Sequence, residues 1–121
     1  MVDDYRDLGQ YFVVFNEVAA AARYRGTVTY QELAHLIGLP IVGSYMGREI
    51  GKILGRISRA EHELKHPLLS AVAVTVGGIP GHGFFELATE LEEFSGATEE
   101  ERREFWETEI KRVHEHWRKK F

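Results

Sequence analysis

SYMGREIGKILGRISRAEHELKH, residues 44–66, is the stretch on which the reading of the whole chain turns. At about 100° per residue it is predicted as one helix whose Arg48, Lys52, Arg56 and Arg59 project within a sector of roughly 80°. Met46, Ile50, Ile53, Leu54, Ile57 and Leu64 gather on the opposite side, so one face is basic and the other is core. Between them runs a ridge of Gly47, Gly51, Gly55 and Ser58. Each glycine in a helix interior costs roughly 1 kcal/mol relative to alanine, so three in register call for a reason. Close approach to a nucleic-acid backbone is one reason, and tight packing against a neighbouring helix is another. A solvated basic face opposite a core is the plainer account of the stripe.

Outward from this helix, the 121-residue chain suits a single domain, residues 1–121, with room for one core. At 44% hydrophobic and 28% charged residues it reads as an ordinary globular chain. No run approaches the roughly 20 apolar residues of a membrane span. The start, MVDDYRDLGQ, lacks the positive flank and apolar stretch of a secretion signal, so a cytoplasmic location is expected. The absence of cysteine excludes disulfides, thiolate metal sites and a cysteine nucleophile. Net charge is −4, yet residues 44–83 carry 5 basic and 3 acidic groups and are the net-positive part of the chain. A localised basic face on an acidic body can still steer a phosphate backbone, because salt screens the remainder within about 10 Å.

The expected fold is mainly α with a small β-hairpin, an α+β arrangement with flanking N- and C-terminal helices. Leu8, Tyr11, Phe12, Phe15, Val18, Ala19 and Ala22 recur at helical intervals over residues 4–24, and Arg25 with Gly26 ends that helix. Thr27 and Val28 form a short extended piece, and Thr29 opens a capping box with Glu32 for a second, short helix. Gly38, Leu39 and Pro40 stop it, and Ser44 is the expected cap of the long helix. Two helices joined by a turn, the second basic, make a helix-turn-helix pattern. Pro67 closes the long helix, and residues 68–76 supply the best strand. The glycine-rich residues 77–83 are a loop, read as a hairpin tip returning through Phe84 and Phe85, with a short helix over residues 84–94. Thr98 opens another capping box with Glu101, and Phe105, Trp106, Ile110, Val113 and Trp117 continue helically to a basic end at Arg118, Lys119 and Lys120.

Residues 29–76 resemble the DNA-binding domain of the alkylguanine-DNA alkyltransferases and of the catalytically dead alkyltransferase-like proteins. Thr29-Tyr30-Gln31-Glu32-Leu33-Ala34, Ile37-Gly38, Arg48-Glu49-Ile50-Gly51 and, more loosely, His66-Pro67-Leu68-Leu69 carry the resemblance. It implies a winged-helix fold whose glycine-rich second helix enters the minor groove. It also implies that Arg48 fills the gap left by a flipped base and that Tyr30 pushes the neighbouring phosphate. The family's Pro-Cys-His-Arg tetrapeptide is missing, the corresponding strand reading Ala73, Val74, Thr75, Val76, so alkyl transfer to cysteine is excluded. Residues 67–72 followed by 80–86 are similar as well to small bacterial proteins.

His62-Glu63-Leu64-Lys65-His66 matches H-E-x-x-H, which on a helix sets two imidazoles one turn apart beside a glutamate able to activate zinc-bound water. His82, Glu86 or a distant carboxylate could complete the site. Pro67 places the second histidine in a fraying turn, however, and both imidazoles project beside Arg59, where a cation is repelled. Ser70 has no nucleophile-elbow sequence around it, and residues 77–83 match no phosphate-binding fingerprint. His114 and His116 are expected at the surface; Glu61 beside His62 has the place for acid-base catalysis, and a surface ion pair with Lys65 accounts for it equally well. The favoured function is therefore DNA binding, in repair or defence, through Tyr30, Arg48, Lys52, Arg56 and Arg59, without metal or cofactor. A zinc hydrolase using His62 and His66 is one alternative. A protein-interaction module or homodimer, built on the glycine ridge and the aromatic C-terminal helix, is another.

Overall fold

Residues 67–74, PLLSAVAV, are buried without a break, and the remaining elements are arranged around them. The computed structural model describes residues 4–118. In chain order these form α1 (Asp4–Arg23), β1 (Val28–Thr29), α2 (Tyr30–Leu36), α3 (Gly43–Glu63), a 3-10 turn (Leu69–Val72), β2 (Ala73–Val74), α4 (His82–Glu90) and α5 (Glu99–Trp117). The fold is mainly helical, with a two-stranded parallel sheet in which Val28 pairs with Ala73 and Thr29 with Val74. Among the described residues no helix is long and apolar enough to cross a membrane.

A backbone segment without an outer polar face must have its N–H and C=O groups satisfied from inside. Here side chains from two helices supply much of that. The Leu68 N–H donates to Glu109 Oε2 at 2.7 Å, the Ser70 N–H donates to Ser58 Oγ at 3.0 Å, and Trp106 Nε1–H donates to the Ala71 carbonyl at 2.8 Å. Ala73 and Val74 then join the ladder with β1. Leu33, Ile50, Ile57, Val14, Val18 and Val113 close over the segment from α2, α3, α1 and α5.

Local signals are where the sequence places them. Thr29 and Thr98 each accept from the backbone N–H three residues on, and Glu32 and Glu101 reach back, so both capping boxes form. Arg25, at φ 59°, follows α1, and Gly38, at φ 76°, follows α2. Lys119 and Lys120, read as part of a basic helix end, lie outside the described residues.

Four expectations are corrected. The hairpin does not exist, because β2 has its partner in β1. Thr75 turns back on itself, its N–H and Oγ1–H both donating to the Ile79 carbonyl at 2.9 Å. The return segment is instead the start of α4. The expected strand over residues 68–76 shrinks to Ala73–Val74, its first part wound into the 3-10 turn that brings Ser70 to Ser58. Val42, not Ser44, is the N-cap of α3, with no side-chain capping bond, since Gly43 at φ 61° bends the chain into the helix sooner. Finally α3 stops at Glu63, because a residue before proline avoids the helical region and Lys65, at φ 62°, has already reversed the chain.

Glu109 is 2% exposed and also accepts from Arg112 Nη1 at 2.7 Å, so its carboxylate ties α5 to the central segment. Removing the carboxylate leaves the buried Leu68 N–H without its acceptor, whereas Arg112 is half exposed and returns to water. Glu109→Ala is expected to lower unfolding stability by about 2–4 kcal/mol, and Glu109→Gln by less, measured by urea denaturation.

Candidate nucleic-acid interface

The regular alternation of faces along α3 has a direct structural result. Ile50, Ile53, Leu54 and Ile57 are buried, while Arg48, Lys52, Arg56 and Arg59 are all exposed on one side of the helix. The four cations differ in company. Arg48 lies 5.9 Å over the Tyr45 ring, and Arg56 lies 5.0 Å over the Tyr11 ring of α1. Lys52 meets Glu49 on its own helix at 3.1 Å. Arg59 makes a two-pronged pair with Glu90 of α4, at 2.7 and 2.9 Å. That hydrogen bond and charge raise the Arg59 pKa and hold the Glu90 carboxyl below its ordinary value. The stripe is thus continuous in space, but its C-terminal member is already answered by an acid.

The glycine ridge is not packed against another helix of this chain. A Cβ built on Gly47, Gly51 or Gly55 meets nothing within 4 Å, so no neighbouring helix packs against these residues. They instead line an open cleft of about 760 Å³. Its other walls are Thr75, Val76, the Gly81–Gly83 start of α4, and Glu86 with Leu87; Leu54, Ser70, Phe84 and Tyr30 also line it. Arg48 and Lys52 line the cleft too, so its mouth and the basic face are continuous. Alanine would be the better helix residue at each ridge position.

Tyr30 is not on the open face expected of a phosphate contact; it is 8% exposed, set against the cleft. Capping by Thr29 fixes it at the first position of α2, with its ring directed inward. Its phenol oxygen accepts from the Gly81 N–H at 3.3 Å, anchoring the loop ahead of α4. Burial pushes its pKa up, so the phenol keeps a proton available to donate. Ser58, read as part of the ridge, is wholly buried instead, its Oγ 2.6 Å from Ser70 Oγ. It already accepts the Ser70 N–H, and a stranded buried hydroxyl proton would cost about 1–3 kcal/mol. Between the two hydroxyls either oxygen can be the donor, so the pair joins α3 to the central segment whichever proton is shared. Neither pairing was legible in sequence, although Ser58 stands four residues from Leu54 on the core side, which signals burial.

The two imidazoles of the H-E-x-x-H match do not converge. His62 Nε2 lies 3.1 Å from Glu93, and His66, beyond the end of α3, donates from Nδ1 to Glu61 at 2.8 Å and stacks on His116 at 4.3 Å. Glu61 is accordingly buried with His66 rather than paired with Lys65, and His114 turns inward to the Gly26 carbonyl at 3.0 Å. Among the described residues no group of three or more His, Asp or Glu side chains is placed to hold a metal ion.

No protein-family model, curated protein or solved structure matches the chain. What its own fold defines is a mainly helical domain in which one long basic helix borders an open, glycine-lined cleft.

Two outcomes follow for this site. Gly51→Ala is expected to raise unfolding stability by about 0.5–1 kcal/mol, seen as a higher denaturant midpoint, because its methyl enters empty space. Tyr30, with its folded pKa above the unfolded value of about 10, contributes stability that is present below pH ~10 and lost as pH rises through the folded value. In alkaline denaturation Tyr30→Phe is expected to flatten that decline.

Proposed function

We propose that the chain binds DNA, resting α3 along the phosphate backbone and holding one extrahelical nucleotide in the cleft, in a helix-turn-helix arrangement that resembles the alkyltransferase-like proteins but lacks a hairpin wing. The observation that carries this reading is the continuity of an exposed cationic helix face with a cleft kept open by three glycines at a stability cost. Arg48, Lys52 and Arg56 supply the phosphate contacts, and such contacts position the duplex without reading sequence. Arg48, which lines the cleft, is the residue we assign to the space vacated by the displaced base.

The cleft volume of about 760 Å³ lies within the roughly 300–1,000 Å³ typical of ligand pockets. Extruding a base costs a few kcal/mol, which favourable contacts inside a pocket must offset. Apolar walls at Leu54, Phe84 and Leu87 offer stacking surface, and the Tyr30 and Ser70 hydroxyls, which line the cleft, offer polar contacts to a base edge. Nothing here uses a nucleophile, so the role is recognition without bond breaking. Glu90 tempers the reading at Arg59, whose charge is committed within the protein. That commitment turns into a test.

Binding of a fluorescent duplex is expected to weaken with salt at a slope near 0.9 for each phosphate neutralised, and Lys52→Ala to lower the slope by about one. Glu90→Gln, by releasing Arg59, is expected to tighten binding by roughly threefold to tenfold at low salt and to steepen the slope. Retention that is indifferent to salt, or absent for every duplex including one with an abasic gap or a mismatch, would end the proposal.

A further inference from the structure

Val76 is 85% exposed, more than any other large apolar side chain described, and it stands on the rim of the cleft. Its backbone is nevertheless held firmly. The Thr75 N–H and Oγ1–H both donate to the Ile79 carbonyl at 2.9 Å, the Gly78 N–H donates to the Thr75 carbonyl at 2.9 Å, and the Gly77 N–H donates to Thr75 Oγ1 at 3.3 Å. Gly78, at φ 85°, provides the left-handed residue that lets so short a turn close. The turn continues directly from β2, which is itself paired with β1 in the interior. A branched apolar side chain is thereby presented to solvent on a rigid mount, where it adds nothing to the core.

Its surroundings indicate what would cover it. Arg48 and Lys52 line the same cleft, with Glu86 as its one acidic lining residue among those described, so a partner on this rim meets two cations and an apolar tip together. A duplex offers both complements, phosphates outside and flat apolar base faces between steps. Proteins that bend DNA insert aliphatic wedges of this kind between base pairs, spending unstacking energy to enlarge the contact. We propose that Val76 is such a wedge, entering the stack next to the nucleotide received by the cleft, so that bound DNA is locally unstacked. This inference rests on the DNA-binding reading and adds a second, apolar contact point to it.

The test uses the full chain and short duplexes with 2-aminopurine placed at successive central positions, whose fluorescence rises when its neighbours unstack. Wild-type protein is expected to raise the signal several-fold at one position. Val76→Ser is expected to remove most of that rise and to weaken binding by roughly tenfold, about 1.4 kcal/mol, while leaving the salt slope unchanged because no phosphate contact is lost. Val76→Ile should retain both. The exposed site makes the variants fold alike, and unchanged thermal unfolding confirms it. Salt-sensitive binding with no fluorescence rise at any position, or a Val76→Ser protein equal to wild type in both readouts, overturns the wedge and leaves the DNA reading standing. Absence of duplex binding by wild type removes both. A wild-type dimer that becomes monomeric in Val76→Ser, seen by sedimentation, would assign the valine to an interface between copies instead.

Discussion

The carboxylate of Glu109 on the Leu68 N–H is the contact through which the interior of this protein becomes possible. Residues 68–74 run through the middle of the fold, where an unpaired amide is expensive. Glu109 meets the first of them, Ser58 meets Ser70, Trp106 meets Ala71, and β1 meets the last two. These donors and acceptors come from three elements, so α5, α3 and β1 are fixed relative to one another by a single buried strand of backbone. A charge at 2% exposure is tolerated because the Leu68 amide and the Arg112 guanidinium both satisfy it.

The same arrangement produces the cleft. Ser58 holds Ser70 against α3, and β2 carries the chain onward to the turn at Thr75, from which the loop passes Tyr30 before entering α4. Two walls are therefore set at a distance by buried hydrogen bonds. Side chains do not fill the gap, because α3 has hydrogen atoms where Cβ groups would stand at Gly47, Gly51 and Gly55. Stability is given up along the middle of the longest helix, the pattern expected where a surface serves something other than folding. The neighbouring stripe gives that surface a sign. Arg48, Lys52 and Arg56 remain solvent-facing, Lys52 beside Glu49 of its own helix, whereas Arg59 is drawn to α4 by Glu90.

Much of this was legible along the chain because it depends on neighbours in sequence. Periodicity gave the helices, Thr29-x-x-Glu32 and Thr98-x-x-Glu101 gave two of their starts, and Pro67 gave one stop. The separation of basic, apolar and glycine faces on α3 followed from helical geometry alone. Glu109 could have been found by the same means, standing four residues from Phe105 and four from Val113 on the apolar side of α5.

The sequence by itself determined which stretches are helical, how α2 and α5 are capped, and that three glycines and four cations share one helix, since these are set by spacing within a few residues. Tertiary structure decided that the strands run parallel instead of forming a hairpin, that the glycines face open space instead of a helix, that Tyr30 is buried, and that Glu90 claims Arg59. Each of those outcomes joins residues 31 to 51 positions apart or depends on what lies across a gap, and no local pattern encodes which distant partner will arrive.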